Sequence, residues 1–576
     1  MQTIMKGIPA APGLTKGNIF LVSNQSVSVP VYSISDIPAE MERLKTAQSA
    51  SIQELDAFKA KIMAEQAASE AEIFEAHKMI LQDESLTMMA DESIQSGTNA
   101  ESAWMQSVNF FASQLESLDD PTLSSRAVDV RDVGQRVLRH LMGLGGGGIN
   151  LTKPSVVVGR DLTPSDTASL DRNLSLAFLT AEGGPTSHTA ILAKAFGLPA
   201  VVGLGKELLE LPPESVVLVD GSTGIVIVNP DTETLAAFEG KMKEASLAMR
   251  DALAAAFTPA RTIDGHVVEV VANIGGEDDA KFAHENGAEG VGLFRTEFLY
   301  LHRDSEPNED EQVEVYQRVF SFFKDQPVVV RTLDIGGDKE VPYLNFPKEL
   351  NPFLGWRGVR MLDGRSDLFV TQIRALLRAS IGVNLCIMVP MIARLEEIEA
   401  MKALLEAEKA KLRSEGIPYG DKIQFGIMVE VPSAAINSDK LAKSIDFFSI
   451  GTNDLTQYTL AVDRTNSSVA KIGSSFDPAV LYLIQRTIES AHAEGKWCGM
   501  CGEFAGEPLA MPILLAMGLD EFSMSPARVP GAKQLLRKLS MAECKELLKD
   551  VMQCVTAGEV KQLVTDFLVG KEISVE

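Results

Sequence analysis

Two groups of residues in this chain have types and spacing suited to chemistry. Arg295 and Arg331 stand at the ends of apolar runs in the C-terminal half, where Asn453, Glu430, Asp454 and Cys501 also fall, and Arg357, Arg464 and Lys339 add further cations to the same half. A single Arg or Glu is most simply a solvated surface charge, but clustered arginines are bidentate receptors for phosphate and carboxylate. Glu430 and Asp454 are hard oxygen ligands of the kind Mg²⁺ takes, one or two carboxylates completed by substrate oxygens. A small ligand bearing phosphate and carboxylate is implied. Cys501 closes the run Cys498-Gly-Met-Cys501, yet no second Cys pair or His cluster accompanies it to build tetrahedral zinc. Such a thiol is either a proton donor or base, or a buried and inert cysteine.

The second group is Gly183-Gly-Pro185-Thr-Ser-His188-Thr189, followed by an apolar stretch that ends at Gly197 and Pro199. Two glycines lead into a helical pattern, Thr186 or Ser187 can cap it, and Gly197 with Pro199 stops it. His188 is thereby placed at a helix N-terminus, where free N–H groups and the helix dipole favour an imidazole that carries phosphate. Surface roles are expected for His77, His140, His266, His284, His302 and His492.

The elements that must position these groups divide the chain. From Asp36 to about Met142 glycine is almost absent, and Met41, Leu44, Ile52, Leu55, Phe58 and Ile62 recur on one helix face, with Asp36 and Pro38 as a start. This all-helical stretch ends at the run from Gly143 to Gly148, which cannot remain helical. Beyond it, Ser155-Val-Val-Val158 and Val216-Val-Leu-Val219 alternate with helical pieces, an α/β texture that residues 1–20 share. The helical unit therefore reads as an insertion. The expected order is an α/β domain over 1–20 and 149–230, a helical domain over 21–148, a linker helix over 231–260, and a final domain over 261–576. That last stretch holds eight candidate buried strands, beginning near Val267, Gly290, Val328, Leu385, Phe425, Phe447, Cys498 and Glu521. Eight βα units predict a (β/α)8 barrel, whose catalytic groups gather at the C-terminal strand ends. Arg295, Arg331, Asp334, Glu430, Asn453, Asp454 and Cys501 all fall at such ends.

Composition narrows the function classes. The 576 residues suggest several domains, and 45% hydrophobic with 23% charged residues is a globular balance. A net charge of −26 opposes non-specific binding to nucleic acid or anionic lipid; a basic protein partner fits better. No stretch approaches the roughly 18 apolar residues of a membrane helix, and the N-terminus has no charged leader before an apolar core. Five cysteines in so long a chain cannot form a disulfide framework. A reducing, cytoplasmic setting is expected.

The motifs Gly-Gly-Pro-Thr-Ser-His188-Thr, Gly292-Leu-Phe-Arg295-Thr-Glu-Phe298, Arg331-Thr-Leu-Asp-Ile-Gly-Gly-Asp-Lys339, Asn351-Pro-Phe-Leu-Gly-Trp-Arg357, Phe448-Ser-Ile-Gly-Thr-Asn453-Asp454-Leu-Thr-Gln-Tyr458 and Gly499-Met-Cys501-Gly-Glu503 closely resemble the Enzyme I family of the phosphoenolpyruvate:sugar phosphotransferase system, over essentially the whole chain. The resemblance implies a swivelling phosphohistidine α/β domain with an inserted helical domain that binds the carrier protein HPr, then a phosphoenolpyruvate-binding TIM barrel that forms a homodimer. It implies that His188 accepts phosphate from phosphoenolpyruvate and passes it to HPr, with Thr167 near the imidazole. Arg295, Arg331 and Arg464 match the phosphate and carboxylate receptors, and Lys339, Arg357 and Asn453 complete the pocket. Glu430 and Asp454 match the Mg²⁺ ligands, and Cys501 the acid that protonates the enolate. Pro185 departs from the Arg of many members, leaving phosphate contact there to the backbone. Cys498 is expected to be incidental. Phosphoenolpyruvate synthases and dikinases need an ATP-binding domain for which this chain leaves no room, and nitrogen-regulatory relatives carry a further N-terminal domain before the point where Met1 begins. A scaffold without activity is the remaining rival, and the full set of rim residues speaks against it.

Overall fold

The computed structural model describes residues 2–573 apart from 23–28, 65–67, 118–120, 145–150, 163–169, 172, 185–186, 188, 191, 194–196, 302, 304, 338–340, 345, 347–348, 465 and 467–468. His188, Thr167, Pro185, Lys339, His302 and the glycines from Gly145 to Gly148 therefore lie outside the described residues, as does the side chain of Ile62. The chain separates into two compact units, with the division between Ala245 and Ser246, inside the helix Thr232–Ala255.

In the first unit, β1 (Thr3–Lys6), β2 (Ile8–Ala11), β3 (Leu14–Leu21), β4 (Ser155–Gly159), β5 (Ser175–Thr180), β6 (Ala200–Val202), β7 (Val216–Asp220) and β8 (Ile225–Val228) form one sheet in the order β1-β8-β7-β3-β4-β5-β6-β2. β4 is buried along its whole length, which is why it reads as an uninterrupted apolar run. β3 runs parallel to β4, with Asn18 beside Ser155. Between these hydrogen-bonded neighbours the described residues form the helices α1 (Ile37–Ala64), α2 (Ala68–Leu81), α3 (Glu84–Gln95), α4 (Ala100–Glu116) and α5 (Pro121–Leu141). α1 opens where Asp36 Oδ1 accepts the Ala39 N–H at 3.0 Å. Leu44 and Leu55 are buried in the helical core, and Met41, Ile52 and Phe58 pack against it. α4 and α5 approach closely at Gly134: a Cβ there would stand 2.4 Å from Val108 Cγ1, and the Gly134 carbonyl accepts the buried Trp104 indole N–H at 3.0 Å.

His77 corrects the sequence expectation. It is wholly buried on α2, its Nε2 3.5 Å from Asp129 Oδ1 and its Nδ1 3.7 Å from Asp132 Oδ2, both carboxylates on α5. Nothing near His77 in the chain announces these partners. His140 is part-buried, and its Nε2 stands 3.0 Å from Glu54 Oε2.

The second unit is a closed barrel of β10 (Val267–Ile274), β11 (Val291–Arg295), β12 (Pro327–Arg331), β13 (Asn384–Val389), β14 (Ile423–Val429), β15 (Phe447–Ile450), β16 (Trp497–Met500) and β17 (Glu521–Met524). Each strand pairs in parallel with the next, and β17 pairs back onto β10 with Glu521 beside Glu269. A short β9 (Ala260–Arg261) adds antiparallel to β10. Side chains alternate between layers. Val268, Val270, Ala272 and Ile274 join the large core shared with the helices, whereas Leu293, Val329, Met388, Met428 and Phe447 form a separate inner cluster, in which Phe447 stacks on Trp497 at 4.4 Å. All eight strands expected from the sequence are present.

Candidate active site at the carboxyl ends of the barrel strands

β11 ends at Arg295 and β12 at Arg331, β14 leads into Glu430, β16 leads into Cys501, and β15 leads through Gly451 into the helix Thr452–Leu460, which carries Asn453 and Asp454. These strand ends surround a cavity of about 340 Å³ that brings together Arg295, Arg331, Arg357, Glu430, Asn453, Asp454, Arg464 and Cys501. Gly451 keeps room for the carboxylate, since a Cβ there would lie 3.0 Å from Met428 Sδ and 3.1 Å from Glu430 Oε2.

The four arginines are not equivalent. Arg331 is buried, with Nη2 2.6 Å from Glu297 Oε1 and Nη1 3.1 Å from Asp334 Oδ2, while its Nε has no hydrogen-bond partner among the described residues. Arg357 is clamped between Asp334 and Asp454, with Nε 2.9 Å from Asp334 Oδ1 and Nη2 3.0 Å from Asp454 Oδ2. Arg464 is more open; its Nη1 stands 3.5 Å from Asp454 Oδ1, and its guanidinium lies over the Phe353 ring at 5.7 Å. The Arg295 side chain makes no hydrogen bond or ion pair with any described residue, although its charge is felt by Asp279 and Cys501, and it is the least committed of the four arginines. Glu297 and Asp334 complete the ionic wall. Asp334 stands at a strand end legible in the sequence, but its two arginine partners do not show there, and Glu297 carried no signal beyond its place two residues after Arg295.

Electrostatics separate the acids from the thiol. Burial holds the Glu430 carboxyl well above the usual carboxylate range, and Asp454 and Asp334 add to the effect against Arg357 and Arg331. Its Oε1 accepts the Met391 N–H at 2.6 Å. Burial pushes the Cys501 thiol up to about 11, with Ser449 and Arg331 pulling the other way. Cys501 is therefore a neutral S–H near neutral pH; its Sγ is 3.8 Å from the Ile450 carbonyl oxygen, and its carbonyl accepts from Asn273 Nδ2 at 3.0 Å. Leu293, Met428 and Cys501 form the apolar side of the cavity. Cys498 points the other way, into the strand–helix layer, where burial raises its thiol far above the ordinary value.

The donor set suits a hard divalent cation. Glu430 and Asp454 are crowded carboxyl groups whose mutual repulsion on ionising a cation would relieve, and their oxygens are of the type Mg²⁺ prefers. Among the described residues no group of three or more His, Cys, Asp or Glu side chains could enclose a metal by itself, so substrate and water oxygens would have to complete the shell.

In the α/β domain, the Ala190 N–H donates to Ser187 Oγ at 3.4 Å, and Thr189 Oγ1 donates to Asp161 Oδ1 at 3.1 Å. His188, Thr167 and Lys339 lie outside the described residues.

Three family descriptions match the chain in order: PEP-utilising enzyme, N-terminal, over residues 6–126; PEP-utilising enzyme, mobile domain, over 151–224; and PEP-utilising enzyme, PEP-binding domain, over 251–541, which contains the barrel cavity. Fold and site together define an enzyme of the phosphoenolpyruvate-utilising class. The phosphoenolpyruvate-protein phosphotransferase of Priestia megaterium is 45% identical over 573 residues, covering 98% of this chain and 99% of the relative. That of Geobacillus stearothermophilus is 45% identical over 570 residues, with 98% of each chain covered, and that of Bacillus subtilis strain 168 is 44% identical over 570 residues, with 98% of this chain and 99% of the relative covered. The chain belongs to the phosphoenolpyruvate-protein phosphotransferase family.

Proposed function

We propose that this chain moves the phosphoryl group of phosphoenolpyruvate to its own His188 and then to a histidine of the carrier HPr, releasing pyruvate as the first step of phosphotransferase-system sugar uptake. The observation that carries the reading is the convergence of Arg295, Arg331, Arg464, Asn453, Glu430, Asp454 and Cys501 on one cavity in a chain of this family. The Arg295 side chain has donors to spare, and Arg331 and Arg464 line the same cavity; these receive phosphate and carboxylate. Asn453 adds a polar partner. Glu430 and Asp454 would hold Mg²⁺, which would supply charge neutralisation at the transferring phosphoryl group. Lys339 and Thr167 complete the substrate pocket and the imidazole's surroundings, as the resemblance implies.

In the transfer, His188 Nε2 forms a bond to phosphorus while the bond from phosphorus to the enol oxygen breaks, leaving its electrons on that oxygen as the enolate. Cys501 then gives its thiol proton to the methylene carbon, which yields pyruvate, and the thiolate regains a proton from water. The apolar side formed by Leu293 and Met428 suits the methylene end of the substrate, and the thiol stands on that side. The helical block α1–α5 is the proposed HPr surface, and the net charge of −26 favours a basic carrier. A homodimer through the barrel and a cytoplasmic location complete the proposal. Among the described residues no helix is long and apolar enough to cross a membrane.

The test is to add phosphoenolpyruvate, Mg²⁺ and HPr to the chain and follow pyruvate and protein-bound phosphate. Chelation should stop transfer from phosphoenolpyruvate and leave transfer between the two histidines intact. Equal loss of both steps would contradict the placing of the cation on the barrel.

A further inference from the structure

Arg357 lines the cavity but has nothing left to offer a ligand. It is 2% exposed. Its Nε and Nη2 donate to Asp334 Oδ1 and Oδ2 at 2.9 and 3.0 Å. Its Nη1 and Nη2 donate to Asp454 Oδ1 and Oδ2 at 3.2 and 3.0 Å, and Nη1 also meets the Tyr458 hydroxyl oxygen at 3.4 Å. A guanidinium carries five N–H groups, and these contacts occupy them. Arg295, on the same cavity, has no such partners.

Asp334 is the fixed end of the arrangement. It is fully buried, and the same carboxylate that takes two Arg357 donors also stands 3.1 Å from Arg331 Nη1. Asp454 is the working end, because it belongs to the pair of carboxylates assigned to the cation.

We propose that Arg357 is a positioning residue that holds the Asp454 carboxylate in place for the cation, with Asp334 as its anchor, and is not a receptor for substrate. This rests on the phosphoenolpyruvate site proposed above. A carboxylate held in both of its oxygens loses little freedom when a cation binds, whereas a loose one must be ordered first. Lysine keeps the charge of Arg357 but lacks the planar fork that reaches both acids.

The experiment compares the full chain with Arg357→Lys and Asp334→Asn. Mn²⁺ binding without substrate is read by electron paramagnetic resonance, and kcat and KM for phosphoenolpyruvate are measured at saturating Mg²⁺. Both variants should bind Mn²⁺ about ten- to a hundredfold more weakly and lose kcat, while KM moves by less than about twofold. A tenfold rise in KM at unchanged Mn²⁺ affinity would make Arg357 a substrate receptor and overturn the proposal. Circular dichroism establishes that each variant folds; should Arg357→Lys unfold, the near-isosteric Asp334→Asn decides by the same readouts. A parent chain that binds no Mn²⁺ overturns the positioning role, and one that consumes no phosphoenolpyruvate overturns the functional reading beneath it.

Discussion

Removal of the Cys501 thiol should separate carbon protonation from phosphoryl transfer. Burial raises this thiol to about 11 against an ordinary 9.0, so at pH 8 about 0.1% of it is thiolate where an unperturbed thiol would be about 9%. The group is thus held in the form that can donate. Positioned general acids contribute about 10²- to 10⁴-fold to rate, which corresponds to about 2.7 to 5.4 kcal/mol of barrel-site barrier. Cys501→Ala should therefore slow pyruvate formation by about 10²- to 10⁴-fold and leave phosphate exchange between the chain and HPr unchanged, since that step protonates no carbon. Pyruvate is followed with a coupled dehydrogenase and exchange with labelled HPr. In the parent, iodoacetamide labelling of Cys501, read by mass spectrometry, should climb about tenfold per pH unit up to pH 10 without levelling, because thiolate is the reacting form. Labelling that saturates below pH 9, or equal loss of pyruvate formation and exchange, would refute the role.

Three further expectations follow from the same geometry. Because burial with Asp454 and Asp334 keeps Glu430 protonated beyond the ordinary range, cation binding should expel a proton near neutral pH; calorimetry of Mg²⁺ binding in buffers of different ionisation enthalpy would detect it, and no proton release would contradict it. Glu521 is held far above its ordinary 4.5 by burial, with Glu269 and Asp520 adding, so its contribution to stability is complete below about pH 4.5 and is lost as pH rises toward the raised value. Glu521→Gln, permanently neutral, should gain stability over the parent at pH 8 relative to pH 4.5 in urea melts, and a pH-independent difference would count against it. Gly134→Ala forces a Cβ to 2.4 Å from Val108 Cγ1, an overpacking cost of about 1–3 kcal/mol that outweighs a helix-propensity gain of about 1. Adding Val108→Ala should restore the helical unit's midpoint, and failure to do so would point to a different source of strain.

The barrel was legible because parallel strands covered on both sides must be apolar along their length, as Val328-Val-Val330 and Ile427-Met-Val429 are. The rim followed from the strands, since a polar residue placed directly after such a run falls at a strand end. What the sequence withheld is pairing. Arg357 meets Asp454 from 97 residues away, and no spacing rule joins them; the same holds for His77 with Asp129 and Asp132. An arginine that binds ligand and one that spends its fork on buried acids look alike until the counter-ions are in place.

The most direct test of the account is to incubate the chain with Mg²⁺ and phosphoenolpyruvate labelled in the phosphoryl group, and to map the label. The expected result is one acid-labile, alkali-stable phosphate per chain on His188, one pyruvate released per phosphate bound, and no label on His188→Ala despite retained phosphoenolpyruvate binding. Label on another residue, or pyruvate released by His188→Ala at the parent's rate, would contradict it.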